Sequence, residues 1–72
     1  MAPPAKTPEA LLRESRLAFA TGNYSKTRKL LGLAARKGLA EGLYRFGTLH
    51  HHGLGGPQDY VEARRLYGLA ST

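Results

Sequence analysis

The chain has 72 residues, which is enough for one small domain that buries only about 60% of its unfolded surface. It contains no cysteine, which excludes disulfide bridges and thiolate metal sites, and no run of the ~20 apolar residues that a membrane-spanning helix requires. Eleven Lys and Arg against five Asp and Glu give a net charge of +6, which favours acidic partners such as a carboxylate-rich peptide, a nucleic acid or an anionic surface.

The first predicted element is a disordered leader over residues 1–6, which hold two of the four prolines and no apolar signal segment. We therefore expect a cytoplasmic protein without membrane insertion. Thr7 is placed to cap a helix that begins at Pro8, because proline is well tolerated at the first helical position. This helix is predicted to end near Ala20. Its inward residues at helical spacing are Leu11, Leu12, Ser15, Ala18 and Phe19.

The second predicted helix follows a break at Thr21-Gly22-Asn23, where Asn23 is placed to cap a helix running to about Lys37. Gly38 then supplies the left-handed conformation that commonly ends a helix. The short break predicts a tight hairpin of the first two helices. The inward residues of the second helix are Tyr24, Thr27, Leu30, Leu31 and Ala34.

The second half of the chain predicts another hairpin with a longer loop. Its first helix covers roughly Leu39 to His52, and a glycine-rich loop follows. Asp59 is placed to cap the fourth helix, and Glu62 three residues later predicts a capping box. The inward residues of this hairpin are Leu43, Phe46, Gly47, Leu49 and His50 on the third helix, and Tyr60, Ala63, Leu66, Tyr67 and Ala70 on the fourth.

An internal repeat relates the two halves. The segment YSKTRKLLGLAA recurs 36 positions later as YVEARRLYGLAS. The odd helices match at an offset of 32, which pairs Arg13 with Arg45 and Ser15 with Gly47; small residues at the latter position allow two helix axes to approach closely. A fixed period of this length is typical of stacked helical repeats. The identical pairs of the 36-residue offset are Tyr24/Tyr60, Arg28/Arg64, Leu30/Leu66, Gly32/Gly68, Leu33/Leu69 and Ala34/Ala70.

Residues 40–71 resemble a sel-one-like repeat, a relative of the tetratricopeptide repeat. The matching residues are Ala40, Gly47, Gly53, Gly55, Asp59, Ala63, Tyr67 and Ala70. The departures are Gly56 for valine, Leu66 for tryptophan, His50 for tyrosine and Ser71 for alanine, and we expect the second hairpin to be less rigid for that reason. Residues 11–38 resemble a tetratricopeptide hairpin with its G-x-Y turn.

The resemblance implies an all-α fold in which two antiparallel helix hairpins, residues 7–38 and 39–72, stack as a short right-handed α-solenoid. It also implies a protein–protein interaction or adaptor module whose odd helices line a concave binding face. Arg13 and Arg45, with Tyr44 nearby, could then clamp carboxylates of an acidic peptide or partner protein. The implied partner-binding residues are Leu12, Arg13, Arg16, Phe19, Tyr44, Arg45, Thr48, His51 and His52. The alternative is that Arg13 and Arg45 are solvated or pair with Glu9, Glu14 and Glu41.

Basic residues on the even helices suggest a second function, nucleic-acid binding through a convex stripe. A solvated helix face is the more usual meaning of such a run, because no recognised nucleic-acid motif accompanies it. The candidate nucleic-acid-binding residues are Lys26, Arg28, Lys29, Arg64 and Arg65.

Three further features predict no chemistry. Adjacent residues of the run His50-His51-His52 project about 100° apart on a helix, so the run predicts no metal site, and we expect His50 to be a packed substitute for tyrosine. The loop 53–57 lacks the Lys-Ser/Thr of a phosphate-binding loop, so we expect it to serve helix packing. No nucleophile has a readable partner set, which predicts a protein that is not an enzyme and has no cofactor.

The number of repeats predicts an open end. Arrays of this kind usually need about three units, because each hairpin covers its apolar face with the next one. With two units, we expect this chain either to belong to a longer array or to cover its open end by self-association or a partner.

Overall fold

The computed structural model describes residues 7–72, and the predicted leader over 1–6 lies outside them. The described residues form four helices and no strand, which confirms the all-α prediction. The second helix ends one residue before the predicted Lys37, and the third begins one residue after the predicted Leu39. The helices are α1 (Pro8–Ala20), α2 (Tyr24–Arg36), α3 (Ala40–His52) and α4 (Tyr60–Ala70).

The three predicted helix caps are all present. Thr7 Oγ1 accepts a hydrogen bond from the Ala10 amide at 3.1 Å, and Asn23 Oδ1 accepts one from the Lys26 amide at 3.3 Å. Asp59 Oδ1 accepts from the Glu62 amide at 3.0 Å. These bonds satisfy amide groups that have no partner within the first turn of a helix.

The predicted capping box at α4 is only half formed. The Asp59 amide donates to the His50 carbonyl at 2.8 Å, so it does not receive the Glu62 side chain. The Glu62 carboxylate instead accepts two hydrogen bonds from Arg65. The reciprocal half of the capping box was therefore a wrong prediction, because the end of α3 already occupies the Asp59 amide.

The core lies along the contacts between helices that follow each other in the chain. Two buried hydroxyl groups in it are satisfied locally: Ser15 Oγ donates to the Leu12 carbonyl at 2.7 Å and Thr27 Oγ1 to the Asn23 carbonyl at 2.8 Å. Burial of these polar groups is therefore compatible with a stable core. The buried hydrophobic residues are Leu11, Leu12, Ala18, Leu30, Leu31, Ala34, Leu43, Leu49, Ala63 and Leu66.

Three aromatic residues that the helical spacing placed inside lie at the surface. Phe19 is 48% exposed and Tyr24 36%, and their rings contact each other at 5.3 Å beside the short turn between α1 and α2. Tyr60 is 59% exposed and its ring meets that of His51. The inward prediction was wrong for these residues, each of which stands in the first or last turn of its helix.

Small residues allow close approach at two helix crossings. A Cβ atom added to Gly42 would lie 2.9 Å from Ala34 Cβ, and one added to Gly47 would lie 3.0 Å from Tyr67 Cε1. The first contact joins α3 to the end of α2, and the second joins α3 to α4. Gly47 therefore has the packing role that the sequence predicts for it.

Packing between successive helices leaves a groove between each pair of alternate helices. One groove has α1 and α3 as walls and α2 as its floor, and the other has α2 and α4 as walls and α3 as its floor. The chain is flat, with extents of 41 × 29 × 17 Å. Both grooves are therefore shallow and open to solvent.

Candidate functional site

The α1–α3 groove has a volume of about 380 Å³ and an uncharged floor. Ser15, Thr27, Leu31 and Leu49 are buried at its base. Residues with larger exposed side chains form its walls. The residues that line the groove are Ser15, Arg16 and Phe19 of α1, Thr27 and Leu31 of α2, and Glu41, Tyr44, Arg45, Thr48 and Leu49 of α3.

Two arginines from different hairpins meet at one carboxylate oxygen in this groove. Arg45 Nε donates to Glu41 Oε2 at 2.9 Å, and Arg16 Nη1 donates to the same atom at 3.4 Å. About half of each side chain remains exposed. Because two guanidinium groups share one carboxylate, the cluster retains a positive charge and several unused N–H donors.

Tyr44 provides an aromatic wall beside this cluster. It is 59% exposed, and its ring lies 5.3 Å from that of Tyr67. Thr48 connects the two residues: its Oγ1 donates to the Tyr44 carbonyl at 3.1 Å and accepts from the Tyr67 hydroxyl at 3.2 Å. Helix α4 therefore supports the groove wall from behind, although it does not line the groove.

The predicted partner-binding residues divide into three groups. Arg16, Phe19, Tyr44, Arg45 and Thr48 line the groove. Leu12 is 6% exposed and belongs to the core, so its prediction as a surface contact was wrong. The remaining residues, Arg13, His51 and His52, are exposed but lie outside the groove lining.

The two arginines that meet in the groove are not the pair that the repeat offset indicated. Arg13 and Arg45 are equivalent in sequence, but Arg16 is the α1 arginine that meets Arg45 at Glu41. The sequence did contain a signal for half of this cluster, because Glu41 and Arg45 are four residues apart on one helix. The alternative that Arg45 pairs with Glu41 is confirmed, and Arg16, which that alternative did not include, pairs with the same carboxylate.

The basic stripe on the even helices is partly engaged in structural contacts. Arg28 Nη1 donates to the Leu54 carbonyl at 2.9 Å and Nη2 to the Pro57 carbonyl at 3.1 Å, so it binds the glycine-rich loop. Arg65 donates to both carboxylate oxygens of Glu62, at 2.6 and 2.9 Å. The three other members of the stripe, which are Lys26, Lys29 and Arg64, are exposed.

The ion pair on α4 shifts the titration of both its members. The hydrogen bonds from Arg65 lower the pKa of the Glu62 carboxyl group and outweigh the opposing effect of burial. The same hydrogen bonds raise the pKa of Arg65. Both shifts favour the charged pair, which is stable at neutral pH.

The glycine-rich loop packs against α2, as its composition suggested. Gly55 has a φ of +74°, and a Cβ atom there would overlap the Tyr24 carbonyl group. Gly56 lies against the Arg28 guanidinium group, where a Cβ atom would be 2.7 Å from Cζ. The loop that joins α3 to α4 therefore packs against α2 of the first hairpin.

The three consecutive histidines differ in exposure, because His50 is buried and His51 and His52 are exposed. His50 is buried, its Nδ1 is 2.9 Å from the Phe46 carbonyl oxygen, and its ring meets that of Phe46 edge-on. This is the packed, hydrogen-bonded role expected of a tyrosine substitute, with Nδ1–H as the donor. His51 contacts the rings of His52 and Tyr60. Within residues 7–72, no three His, Asp or Glu residues are grouped as a metal site.

A bilayer-crossing segment is absent from the described helices, none of which has the length and apolar character that one needs. Comparisons of the chain with protein-family models, with curated proteins and with solved structures find no match.

Proposed function

We propose that this protein is a protein–protein interaction module that binds an acidic or carboxylate-bearing segment in the α1–α3 groove. In this proposal the hairpins form a short right-handed α-solenoid of the tetratricopeptide and sel-one-like type, with α1 and α3 on the concave side. The observation that carries it is the convergence of Arg16 and Arg45 on one oxygen of Glu41.

The Glu41 contact supports carboxylate recognition because it is itself a bound carboxylate. Guanidinium groups form strong, directional hydrogen bonds with carboxylates, and their planar fork offers a second pair of donors to an incoming group. The groove arginines are about half exposed, so a ligand carboxylate can reach them from solvent. Glu41 then acts as an internal occupant that a ligand shares or displaces.

The exposed aromatic residues supply the apolar part of the proposed interface. Phe19 and Tyr44 stand on opposite walls of the groove, at 48% and 59% exposure. Aromatic and arginine side chains are the types that contribute most to binding at protein interfaces. A ligand that carries a carboxylate beside an apolar side chain would therefore contact both kinds of group.

The test is a fluorescence anisotropy titration with a library of labelled octapeptides that carry Glu or Asp at fixed positions beside apolar residues. The matched library has Gln and Asn at those positions. Arg16→Ala and Arg45→Ala are each expected to weaken binding of the acidic peptides about tenfold, because each removes a charged hydrogen-bond donor. The control Arg64→Ala removes the same charge outside the groove and should leave the affinity within about twofold.

A second variant tests the role of Glu41 as an occupant. Glu41→Gln keeps the shape of the side chain and removes its negative charge, so it should strengthen binding of the acidic peptides severalfold. Glu9→Gln makes the same change of net charge on the first turn of α1 and serves as the control. Equal effects of the two variants would reduce the result to net charge and reject the groove as the binding site.

The alternative function, nucleic-acid binding by the even helices, predicts the opposite pattern. Affinity for single- or double-stranded oligonucleotides would then fall in Arg64→Ala and in Lys29→Ala, with a shallower dependence on salt, while Arg16→Ala and Arg45→Ala would have little effect. The engagement of Arg28 and Arg65 in local contacts leaves fewer donors for this function. We prefer the peptide function because Arg16 and Arg45 converge beside the exposed ring of Tyr44.

A further inference from the structure

Four of the α2 residues that contact the second hairpin form a surface that we call the docking face of α2. The Phe46 ring packs on Gly32, where an added Cβ atom would lie 3.3 Å from Phe46 Cζ. Gly42 of α3 packs on Ala34, the loop carbonyls of Leu54 and Pro57 accept hydrogen bonds from Arg28, and Gly55 lies against the Tyr24 carbonyl. The docking face of α2 is therefore Tyr24, Arg28, Gly32 and Ala34.

Helix α4 carries the same four residue types at the same spacing, namely Tyr60, Arg64, Gly68 and Ala70. No element within residues 7–72 covers them in the way that α3 and its loop cover α2. Tyr60 is 59% exposed, Arg64 is exposed, and a Cβ atom added to Gly68 would meet nothing within 4 Å. Ala70 is half-buried, whereas Ala34 is completely buried.

Two residues of α4, Gly68 and Val61, do not contribute to packing in the isolated chain. Gly68 lies within a helix, where glycine is less stable than alanine, and no group in residues 7–72 packs close enough to require its small size. Val61 is 81% exposed and follows Tyr60, at the level where α2 receives the glycine-rich loop. A partner seated on this face would give both residues a packing role.

We propose that Tyr60, Arg64, Gly68 and Ala70, which form the outer face of α4, bind a helix–loop segment that has the pattern of α3 and its loop. The segment carries a glycine that packs on Ala70 and an aromatic residue four positions later that packs on Gly68. A glycine-containing loop follows, whose carbonyl groups accept hydrogen bonds from Arg64. Within this chain the pattern is Gly42, Phe46 and the loop 53–57.

The N-terminal helix of a second copy does not have this pattern. At the offset of 32, α1 carries Ala10 in place of Gly42 and Glu14 in place of Phe46. A three-residue turn follows α1, so α1 lacks a counterpart of the long loop whose carbonyl groups bind Arg28. The occupant is therefore a segment of the α3 type and not helix α1 of another copy.

The experiment places such a segment next to α4 while the whole chain is kept. A second copy of residues 37–72 is joined directly after Thr72, which preserves the 36-residue spacing and puts an α3-type helix after α4. Urea unfolding followed by circular dichroism is expected to give one transition with a higher midpoint than that of the 72-residue chain, because stacked repeats unfold cooperatively.

Two variants of α4 show whether the contact is the proposed one. Gly68→Val and Arg64→Ala should lower the folding equilibrium constant of the extended chain about tenfold or more, and should change that of the 72-residue chain by less than about twofold. Two separate unfolding transitions, or equal effects of the variants in both chains, would overturn the proposal.

Sedimentation of the 72-residue chain tests whether a second copy of the chain covers α4 instead. The proposal expects the same sedimentation for the unmodified chain and for Gly68→Val. An oligomer that Gly68→Val dissociates would show that a second copy covers α4, and would overturn the assignment of the α3-type segment.

Discussion

Helices α2 and α4 carry identical residues at several corresponding positions, but these residues make different contacts in the structure. Arg28 binds two carbonyl groups of the glycine-rich loop, whereas Arg64 is exposed. Gly32 receives the Phe46 ring, whereas no group of the described residues packs within 4 Å of a Cβ atom built on Gly68. The comparison shows that a repeated residue has a repeated role only where its neighbour is repeated too, and α4 has no helix after it within the described chain.

The largest difference between the two helices concerns the loop that packs on α2. Gly55→Ala should reduce the free energy of unfolding by about 3 kcal/mol or more, because it combines a left-handed backbone with overlap on the Tyr24 carbonyl. Gly22→Ala is the matched control, since Gly22 has a φ of +79° with nothing within 4 Å and should cost only about 1 kcal/mol.

Urea unfolding monitored at 222 nm would measure both variants. Equal losses for Gly55→Ala and Gly22→Ala would mean that the loop does not press on α2. In that case the most important distinction between α2 and α4 would disappear.

The paired arginines provide the next test. Arg28→Ala should reduce the free energy of unfolding by about 1 kcal/mol, because two loop carbonyls lose a charged donor that is only partly exposed. Arg64→Ala should stay within about 0.5 kcal/mol of the unmodified chain. Thermal unfolding of the two variants in one buffer gives the difference directly, and similar values would contradict the structural role of Arg28.

The sequence predicted features that depend on nearby residues better than features that depend on how helices are placed. The first residues of α1, α2 and α4 could be predicted from the N-terminal caps Thr7, Asn23 and Asp59, because capping depends on residues within one turn. The exposure of Phe19 and Tyr60 did not follow, since helical periodicity identifies an apolar face without showing where the neighbouring helix ends.

The candidate groove was predictable in part for the same reason. The pair Glu41 and Arg45 is encoded locally by its spacing of four residues. The participation of Arg16 depends on how the first hairpin meets the second, and the repeat offset pointed instead to Arg13. Contacts between hairpins depend on the relative placement of whole helices, which spacing along one helix does not describe.

The paired helix glycines give a smaller effect of opposite sign. Gly68→Ala should raise the free energy of unfolding by about 0.5–1 kcal/mol, because alanine is the better helix former and the added methyl group meets open space. Gly32→Ala should gain less or lose stability, since its methyl group would lie 3.3 Å from Phe46 Cζ. Equal stabilisation in thermal unfolding would show that Phe46 does not need the glycine.

The smallest expected effect concerns an ion pair that α4 has and α2 lacks. Arg65 lowers the pKa of Glu62 below its ordinary value of 4.5, so the pair stabilises the fold above that pH and loses its effect as pH falls through the lowered pKa. The unmodified chain should therefore be slightly more stable than Glu62→Gln at pH 7, and the two should converge in strongly acidic buffer. The equivalent residues of α2 are Lys26 and Lys29, so Lys26→Glu should introduce the same pH dependence in α2. A Glu62→Gln difference that persists unchanged at low pH would assign the effect to packing instead of charge.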